Sequence, residues 1–371
     1  MTVLARHSRE DNLSTSILGM GTALPEHTMS LDEAVAMSTE LICRNERETR
    51  LLRMMHRKAR VQNRHTCVPH RIAYQWTGEG SPPSSSPGPT TQERMALYSE
   101  HARPLATEAS TRALADAGIA AEEITHLITV SCTGFDAPGV DVHLFDQLGL
   151  RNTTQRLHIG FMGCHGAING LRAARGLVAA DPAAYLLLCA VELCSLHFKF
   201  QWDPDSMLGN VLFADGAAAL VAARRHVDDD AIFQLRDTGS CLLDDSREAI
   251  TWNVGNSGFD MTLSNRVPGL IIEQLRPWMT EWLGSLGHSI DAIESWSVHP
   301  GGPRILEAVD EAFGFGSQTL STSRDVLSEL GNMSSPTMLF ILERLLQKNA
   351  ARPCVMLGFG PGLAAEAALI E

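Results

Sequence analysis

Short apolar runs and runs of helical period alternate along this chain. Residues 16–24 (SILGMGTAL) form an apolar run broken by glycines, the mark of a short buried strand and a turn. From Ser30 and Leu31 a helical pattern runs to about residue 52, and another spans about 92–117. Between them, 79–91 (EGSPPSSSPGPTT) is low-complexity and loop-like. A strand over 124–132 (ITHLITVSC) follows, then a turn at 137–139, where Pro138 restricts Ala137 and makes a cis bond available, then a helix over 141–148. A strand over 184–191 (AYLLLCAV) leads to a bend and a further strand within 208–222. The C-terminal stretch 355–370 repeats that strand, glycine bend, strand order. The second half as a whole repeats the order of the first, so the pattern predicts a pseudo-duplicated α/β fold with halves 1–225 and 226–371 packed as one unit.

Composition narrows the classes. The 371 residues can bury a full core, and the net charge of −13 argues against nucleic-acid and anionic membrane surfaces. An anionic ligand would need a local basic cluster, and 53–64 (RMMHRKARVQNR) is the densest one. No run reaches the roughly 18 apolar residues of a membrane span, and the polar N-terminus has no apolar signal core, so a cytoplasmic protein is expected. The eight cysteines are scattered without a CxxC pair, which fits reduced thiols and not a zinc site.

Three stretches carry candidate chemistry. In 156–176 (RLHIGFMGCHGAINGLRAARG) a glycine-lined elbow opens a helix marked by Ala167, Leu171 and Ala174. Cys164 then sits at the helix N-terminus, where free N–H groups and the dipole lower a thiol pKa. A lone cysteine there is more often a packing residue. His165 beside it points elsewhere and reads as packing. In 297–306 (SVHPGGPRIL) His299 ends a strand before a Pro-Gly-Gly-Pro turn, and in 330–339 (LGNMSSPTML) Asn332 stands where a glycine turn enters a helix. Singly, these are a structural histidine and a helix cap. Together, a cysteine nucleophile, a histidine to hold its proton and an amide donor make an acyl-transfer set with no acid in its motifs.

These stretches resemble the type III polyketide synthases, bacterial-type members of the chalcone synthase-like superfamily. GFMGCHGAINGLR is similar to that family's nucleophile elbow, VHPGGPRIL to its histidine motif, GNMSSPT to its asparagine motif and GFGPGL to its C-terminal signature, with similarity from about Ile17 onward. The resemblance implies the thiolase-like fold, a five-layered αβαβα architecture. It implies a triad of Cys164, His299 and Asn332, with a Cys164 thiolate paired to His299 imidazolium taking an acyl group from coenzyme A. His299 and Asn332 then stabilise the enolate left when malonyl-CoA loses CO2, and the carbanion attacks acyl-Cys164. Coenzyme A thioesters are substrates and no other cofactor or metal is implied.

For the pocket, the resemblance implies Cys132, Thr133, Cys194, His197, Gly209, Phe213, Trp252, Met261, Ser334 and Pro361. Phe213 stands at one gatekeeper position, and Met261 replaces the other, usually aromatic. Trp252 falls where plant chalcone synthases have glycine, which would reduce the elongation cavity and favour few extensions, as in a triketide pyrone. The cysteines at 132 and 194 favour an aliphatic starter and an alkylpyrone or alkylresorcinol product. Lys58, with Arg53, Arg57 and Arg304, would hold coenzyme A. Ala137 and Pro138 would form the loop reaching the partner of a homodimer. Two alternatives stand beside this one: an initiating β-ketoacyl carrier-protein synthase, against which the HPGGP turn and GFGPGL ending argue, and a non-catalytic scaffold of the same fold.

Overall fold

The computed structural model describes residues 13–76, 87–204, 207–226 and 231–371. Residues 1–12 and most of the Pro/Ser-rich loop lie outside them. In chain order the strands are β1 (Leu13–Ala23), β2 (His27–Ser30), β3 (Asn63–Thr66), β4 (His126–Ser131), β5 (Gln155–Gly160), β6 (Tyr185–Leu193) and β7 (Asp215–His226) in the first half. The second half holds β8 (Phe233–Leu242), β9 (Ile250–Gly255), β10 (Gly258–Leu263), β11 (Ser295–Val298), β12 (Cys354–Gly360) and β13 (Ala364–Ile370). The helices are α1 (Leu31–Ile42), α2 (Glu46–Ala59), α3 (Ile72–Trp76), α4 (Thr91–Ala117), α5 (Val140–Leu148), α6 (Gly166–Ala180), α7 (Met207–Leu212), α8 (Val267–Ser285), α9 (Pro303–Phe313), α10 (Ser321–Leu330) and α11 (Pro336–Gln347).

The helix expected over 31–52 is two helices. Asn45 breaks it by accepting the Glu48 N–H with its side chain, so α2 starts afresh and carries the basic segment to the left-handed cap at Arg60. Ser30–Glu33 and Thr90–Glu93 form capping boxes that set where α1 and α4 begin.

Nine strands pair in the order β11-β12-β13-β8-β1-β7-β6-β4-β5. Within the first half β4 and β6 are parallel, and β6–β7 and β7–β1 are antiparallel. Within the second, β11 and β12 are parallel, and β12–β13 and β13–β8 are antiparallel. The two halves therefore share one strand plan, and they join through a β1–β8 ladder of three residue pairs, Thr15 to Ile17 against Leu235 to Phe233. One core packs α6 and α11 against apolar residues of both strand runs: Ala167, Leu171 and Ile341 lie with Val130 and Leu188 of one run and with Met356 and Ala368 of the other. A second core holds α4 and α5 to the outer side of the first run, and a third holds α8 and α9 to the outer side of the second. Counted across, that is helix, sheet, helix, sheet, helix, the five layers expected. α11 is apolar on nearly every side, whereas α6 turns Arg172 and Arg175 toward Glu366 and Asp237. Truncating the fully buried Leu171 to alanine would cost on the order of 3 kcal/mol.

Candidate active site

The chain leaves β5 through two left-handed residues, Phe161 (φ 57°) and Gly163 (φ 68°), into a single 3-10 turn, Gly163–His165, and then α6. A side chain at 163 would place its Cβ 2.6 Å from Pro361 Cδ, so glycine is required there on two counts. The C-terminal signature thereby packs onto the Cys164 turn. Cys164 is recessed, and the nearby side chains of Ser334 and Asn332 act to lower its thiol pKa. Burial nevertheless pushes the thiol up to about 11. The helix N-terminus was expected to depress it, but desolvation outweighs that influence here. His165 turns away from the cavity, pairs Nδ1 with Asn169 Oδ1 at 2.7 Å and packs under Gly358 and Gly360, as a packing residue should.

His299 follows β11, its N–H donating to the Leu357 carbonyl at 2.8 Å. Neither ring nitrogen has a hydrogen-bond partner among the described residues. Burial, helped by nearby His165, drops its pKa to about 3. Burial thus acts against the charged form of each member of the ion pair that the resemblance implies. Asn332 is tied by its backbone to both neighbours of Phe213, donating to Leu212 O and accepting from Ala214 N at 2.9 Å each. Its side-chain Oδ1 accepts the Ser334 N–H at 2.8 Å, which leaves the amide nitrogen as the group facing the thiol.

Cys164, His299 and Asn332 line one cavity of about 720 Å³. Cys132, Thr133, Cys194, Phe213, Trp252, Met261, Ser334 and Pro361 line it too. Trp252 stands on the β9–β10 hairpin, opposite Met261 in the ladder, and its indole N–H donates to the Cys132 carbonyl at 2.7 Å. Two expected pocket residues are elsewhere. His197 and Gly209 line a second chamber of about 710 Å³, which shares Cys194, Phe213, Trp252 and Met261 with the first. His197 is drawn off by two bonds: Nδ1 accepts the Phe259 N–H at 3.0 Å and Nε2–H donates to the Thr133 carbonyl at 2.6 Å. Its ring stacks on Phe259, 4.1 Å between centroids, and burial holds it neutral with a pKa near about 3.

Sequence reasoning passed over Glu192. This fully buried acid ends β6 and accepts from the N–H groups of Cys132 (2.9 Å) and Thr133 (3.1 Å) and from the hydroxyls of Thr133 (2.6 Å), Ser131 (3.2 Å) and Ser335 (3.0 Å). Burial raises its pKa. The available signal was an acid at the end of an otherwise apolar strand. Arg64 was missed as well: buried at β3, it donates to the carbonyls of Asn210, Val211 and Phe213 and so fixes the backbone before and at Phe213.

Outside the cavity, Lys58 and Arg304 line a vestibule of about 1470 Å³ that shares Leu212, Leu263, Gly301 and Ile305 with the catalytic cavity. Arg53 and Arg57 lie farther out, on a basic rim with Arg50, Arg60, Lys58 and Arg304. Ala137 and Pro138 are exposed on a loop with a cis peptide bond, beside Phe135. Among the described residues no helix is long and apolar enough to cross a membrane and no cluster of metal ligands occurs.

Residues 4–224 match the family model for the N-terminal domain of chalcone and stilbene synthases, and residues 234–371 that for the C-terminal domain. The match begins well before Ile17. The chain is 34% identical over 362 residues to the alpha-pyrone synthesis polyketide synthase-like Pks18 of Mycobacterium tuberculosis, covering 96% of this chain and 90% of that one. It is 30% identical to PKS-I from the brown alga Ectocarpus siliculosus, with a TM-score of 0.91 over 97% of this chain and 98% of that one. The C-terminal type III polyketide synthase domain of Steely1 from Dictyostelium, 24% identical, shares the fold at a TM-score of 0.87 over 96% of this chain and 99% of the domain. The chain belongs to the chalcone and stilbene synthase family: it is a type III polyketide synthase, a condensing acyltransferase that works on coenzyme A thioesters.

Proposed function

We propose that Cys164 is the nucleophile, that His299 and Asn332 are its partners, and that the product is a pyrone made by few extensions. The observation carrying the residue roles is the convergence of two N–H donors on the thiol's cavity. The Asn332 amide nitrogen is aimed there because its oxygen is occupied, and the bare His299 ring has no other partner. In loading, the Cys164 proton passes to His299, the sulfur attacks the acyl-CoA carbonyl, and coenzyme A leaves with that proton. In extension, malonyl-CoA loses CO2, and the electron pair left behind delocalises onto the thioester oxygen, where both donors hold it. The enolate carbon attacks acyl-Cys164, the sulfur departs, and a β-ketoacyl-CoA two carbons longer results. No carbon acid is deprotonated, so no catalytic base is required at that step.

The indole of Trp252 in the cavity wall supports few extensions, and the name of the 34% identical relative, with alpha-pyrone synthesis in it, supports a pyrone. The starter is read as an aliphatic acyl-CoA bound through Lys58 and Arg304, with Arg53 and Arg57 on the outer rim. The working unit is read as a homodimer. Edge strand β5 is exposed along most of its length, and Phe135 (51%), Leu157 (41%) and Met162 (45%) offer apolar surface beside Ala137 and Pro138. We read the chain as two halves, 1–225 and 226–371, and the eight free thiols support a reducing, cytosolic setting.

The test is a mass-spectrometric screen of purified protein with malonyl-CoA and starters from acetyl-CoA to long fatty acyl-CoAs and aromatic acyl-CoAs. Pyrones after two extensions are expected. Silence with every coenzyme A ester, and turnover once an acyl carrier protein delivers the substrates, would overturn the reading in favour of a carrier-protein synthase.

A further inference from the structure

Among the described residues, Phe135, Leu157, Phe161 and Met162 leave large apolar side chains exposed at β5 or packed beside it. Met54, 42% exposed, stands elsewhere, in the middle of α2 and among cations. At helical spacing Arg47, Arg50, Met54, Arg57 and Lys58 follow one exposed ridge, with Arg53 beside it. The acids of the helix do not cancel this charge. Glu46 is at its start, and Glu48 is buried and bound to Arg44. Arg60 at the far end pairs with Glu307 at 3.7 Å. The five cations of the ridge and its flank have no ion-pair partner among the described residues. Such a ridge is out of keeping with a chain of net charge −13.

The ridge is longer than one coenzyme A requires. From Arg47 to Arg60 the helix runs about 20 Å at 1.5 Å per residue. Coenzyme A carries all its phosphates on one nucleotide, and Arg53, Arg57, Lys58 and Arg304 already serve it on the reading above. Arg47, Arg50 and Met54 are left over. A thioether offers nothing to a phosphate, whereas an exposed apolar anchor inside a rim of arginines is how a protein contact is built. The ridge is also continuous with the way to the thiol. Lys58, Pro303 and Arg304 line both the outer hollow of about 1390 Å³ and the vestibule. The vestibule shares Leu212, Leu263, Gly301 and Ile305 with the catalytic cavity. A partner seated on α2 therefore has an open path for a flexible arm.

We propose that the outer ridge of α2 is a docking surface for a small acidic acyl carrier protein, whose phosphopantetheine arm enters through the vestibule and hands a starter acyl group to Cys164. This rests on the acyl-loading reading above. The carrier's arm and coenzyme A end in the same pantetheine thioester, so one channel serves both. What the carrier adds is an anionic face for Arg47 and Arg50 and an apolar spot for Met54. In the transfer, the Cys164 sulfur attacks the acyl carbonyl, the carbon–sulfur bond to the arm breaks, and the arm departs as a thiol with the proton that Cys164 gave up. The acidity of the remaining surface turns such a partner away and steers it to the ridge.

The experiment offers the full-length enzyme either octanoyl-CoA or a purified bacterial acyl carrier protein loaded with octanoate, and follows acylation of Cys164 by intact-protein mass. Loading from both donors is expected, with the carrier's rate falling the more steeply as salt rises. The double variant Arg47→Glu, Arg50→Glu should cut loading from the carrier at least tenfold and leave loading from octanoyl-CoA within twofold. Met54→Asp should act in the same sense, and Met54→Leu should preserve both rates. Loading from octanoyl-CoA with none from the carrier, or equal losses from both donors in the double variant, would overturn the proposal and leave coenzyme A-dependent synthesis standing. Loading from the carrier alone, lost in the double variant, would sustain the docking surface and remove the coenzyme A reading. No loading from either donor would overturn both.

Discussion

Two strand ends meet at the active site, and they hold equivalent places in the two halves. After β4 come Cys132 and Thr133, and after β11 comes His299. Carried two steps on, the β4–β6 ladder puts Glu192 beside Cys132. Carried one step on, the β11–β12 ladder puts Gly358 beside His299. In the first half an acid gathers the backbone N–H groups and hydroxyls of its neighbours, and every one is satisfied. In the second there is no side chain to do this, and the imidazole is left with two bare nitrogens. Polar satisfaction makes the first end rigid, and its absence keeps the second free for a substrate oxygen. The two ends share one strand frame, and at the matching ladder place one carries an acid and the other a glycine.

The largest effect should come from striking the reagents. Cys164→Ala is expected to abolish acyl loading with the fold intact, read by intact-protein mass after exposure to an acyl-CoA. Asn332→Ala should slow CO2 release from malonyl-CoA by roughly 10²–10³-fold while loading persists. Normal decarboxylation in that variant would remove the amide from its assigned role. The scaffold side should respond in stability instead. Glu192→Ala strands the Cys132 and Thr133 N–H groups and should cost on the order of 3 kcal/mol by chemical denaturation, whereas His299→Ala should cost far less. Equal losses would erase the contrast between the two ends.

Titration sharpens it further. Native His299 stays neutral down to about pH 3, while the unfolded histidine takes up a proton near 6.5. Between those values the unfolded chain binds more protons, so this residue makes stability fall as pH drops through the window and contributes nothing above it. His299→Gln should therefore lose less stability between pH 7.5 and 5, by about 2 kcal/mol. Matching pH profiles for the variant and the parent would mean that His299 is charged at rest. The smallest effect belongs to the rim: Lys58→Ala or Arg304→Ala should raise KM for coenzyme A esters severalfold, less so in high salt.

That Cys164, His299 and Asn332 would line one cavity was legible because each tops a strand or opens a helix beside glycines, and local rules of turn and cap read such places well. The strand plan was legible because β6, β7, β12 and β13 are apolar runs bounded by glycine bends. The break at Asn45 was lost because α1 and α2 share a helical period across it, and only the cap separates them. Glu192 was not legible because its five donors come from two segments far from it in sequence, residues 131–133 and Ser335. That His197 and Gly209 face the second chamber was not legible for a related reason. Residues spaced along a sequence motif say which wall they stand in, but the division of the space behind that wall depends on where one indole ring lies.

The seat of Pro361 against Gly163 bears on the timing of biosynthesis. The nucleophile's turn is translated almost two hundred residues before the proline that braces it. A nascent chain carrying the complete first half thus has the thiol but neither its brace nor its two N–H donors. The brace comes only with the turn between β12 and β13, the strand that pairs with β8. On the roles proposed above, a chain cut short of β12 would hold malonyl-CoA's carbonyl less well and spare it from idle decarboxylation.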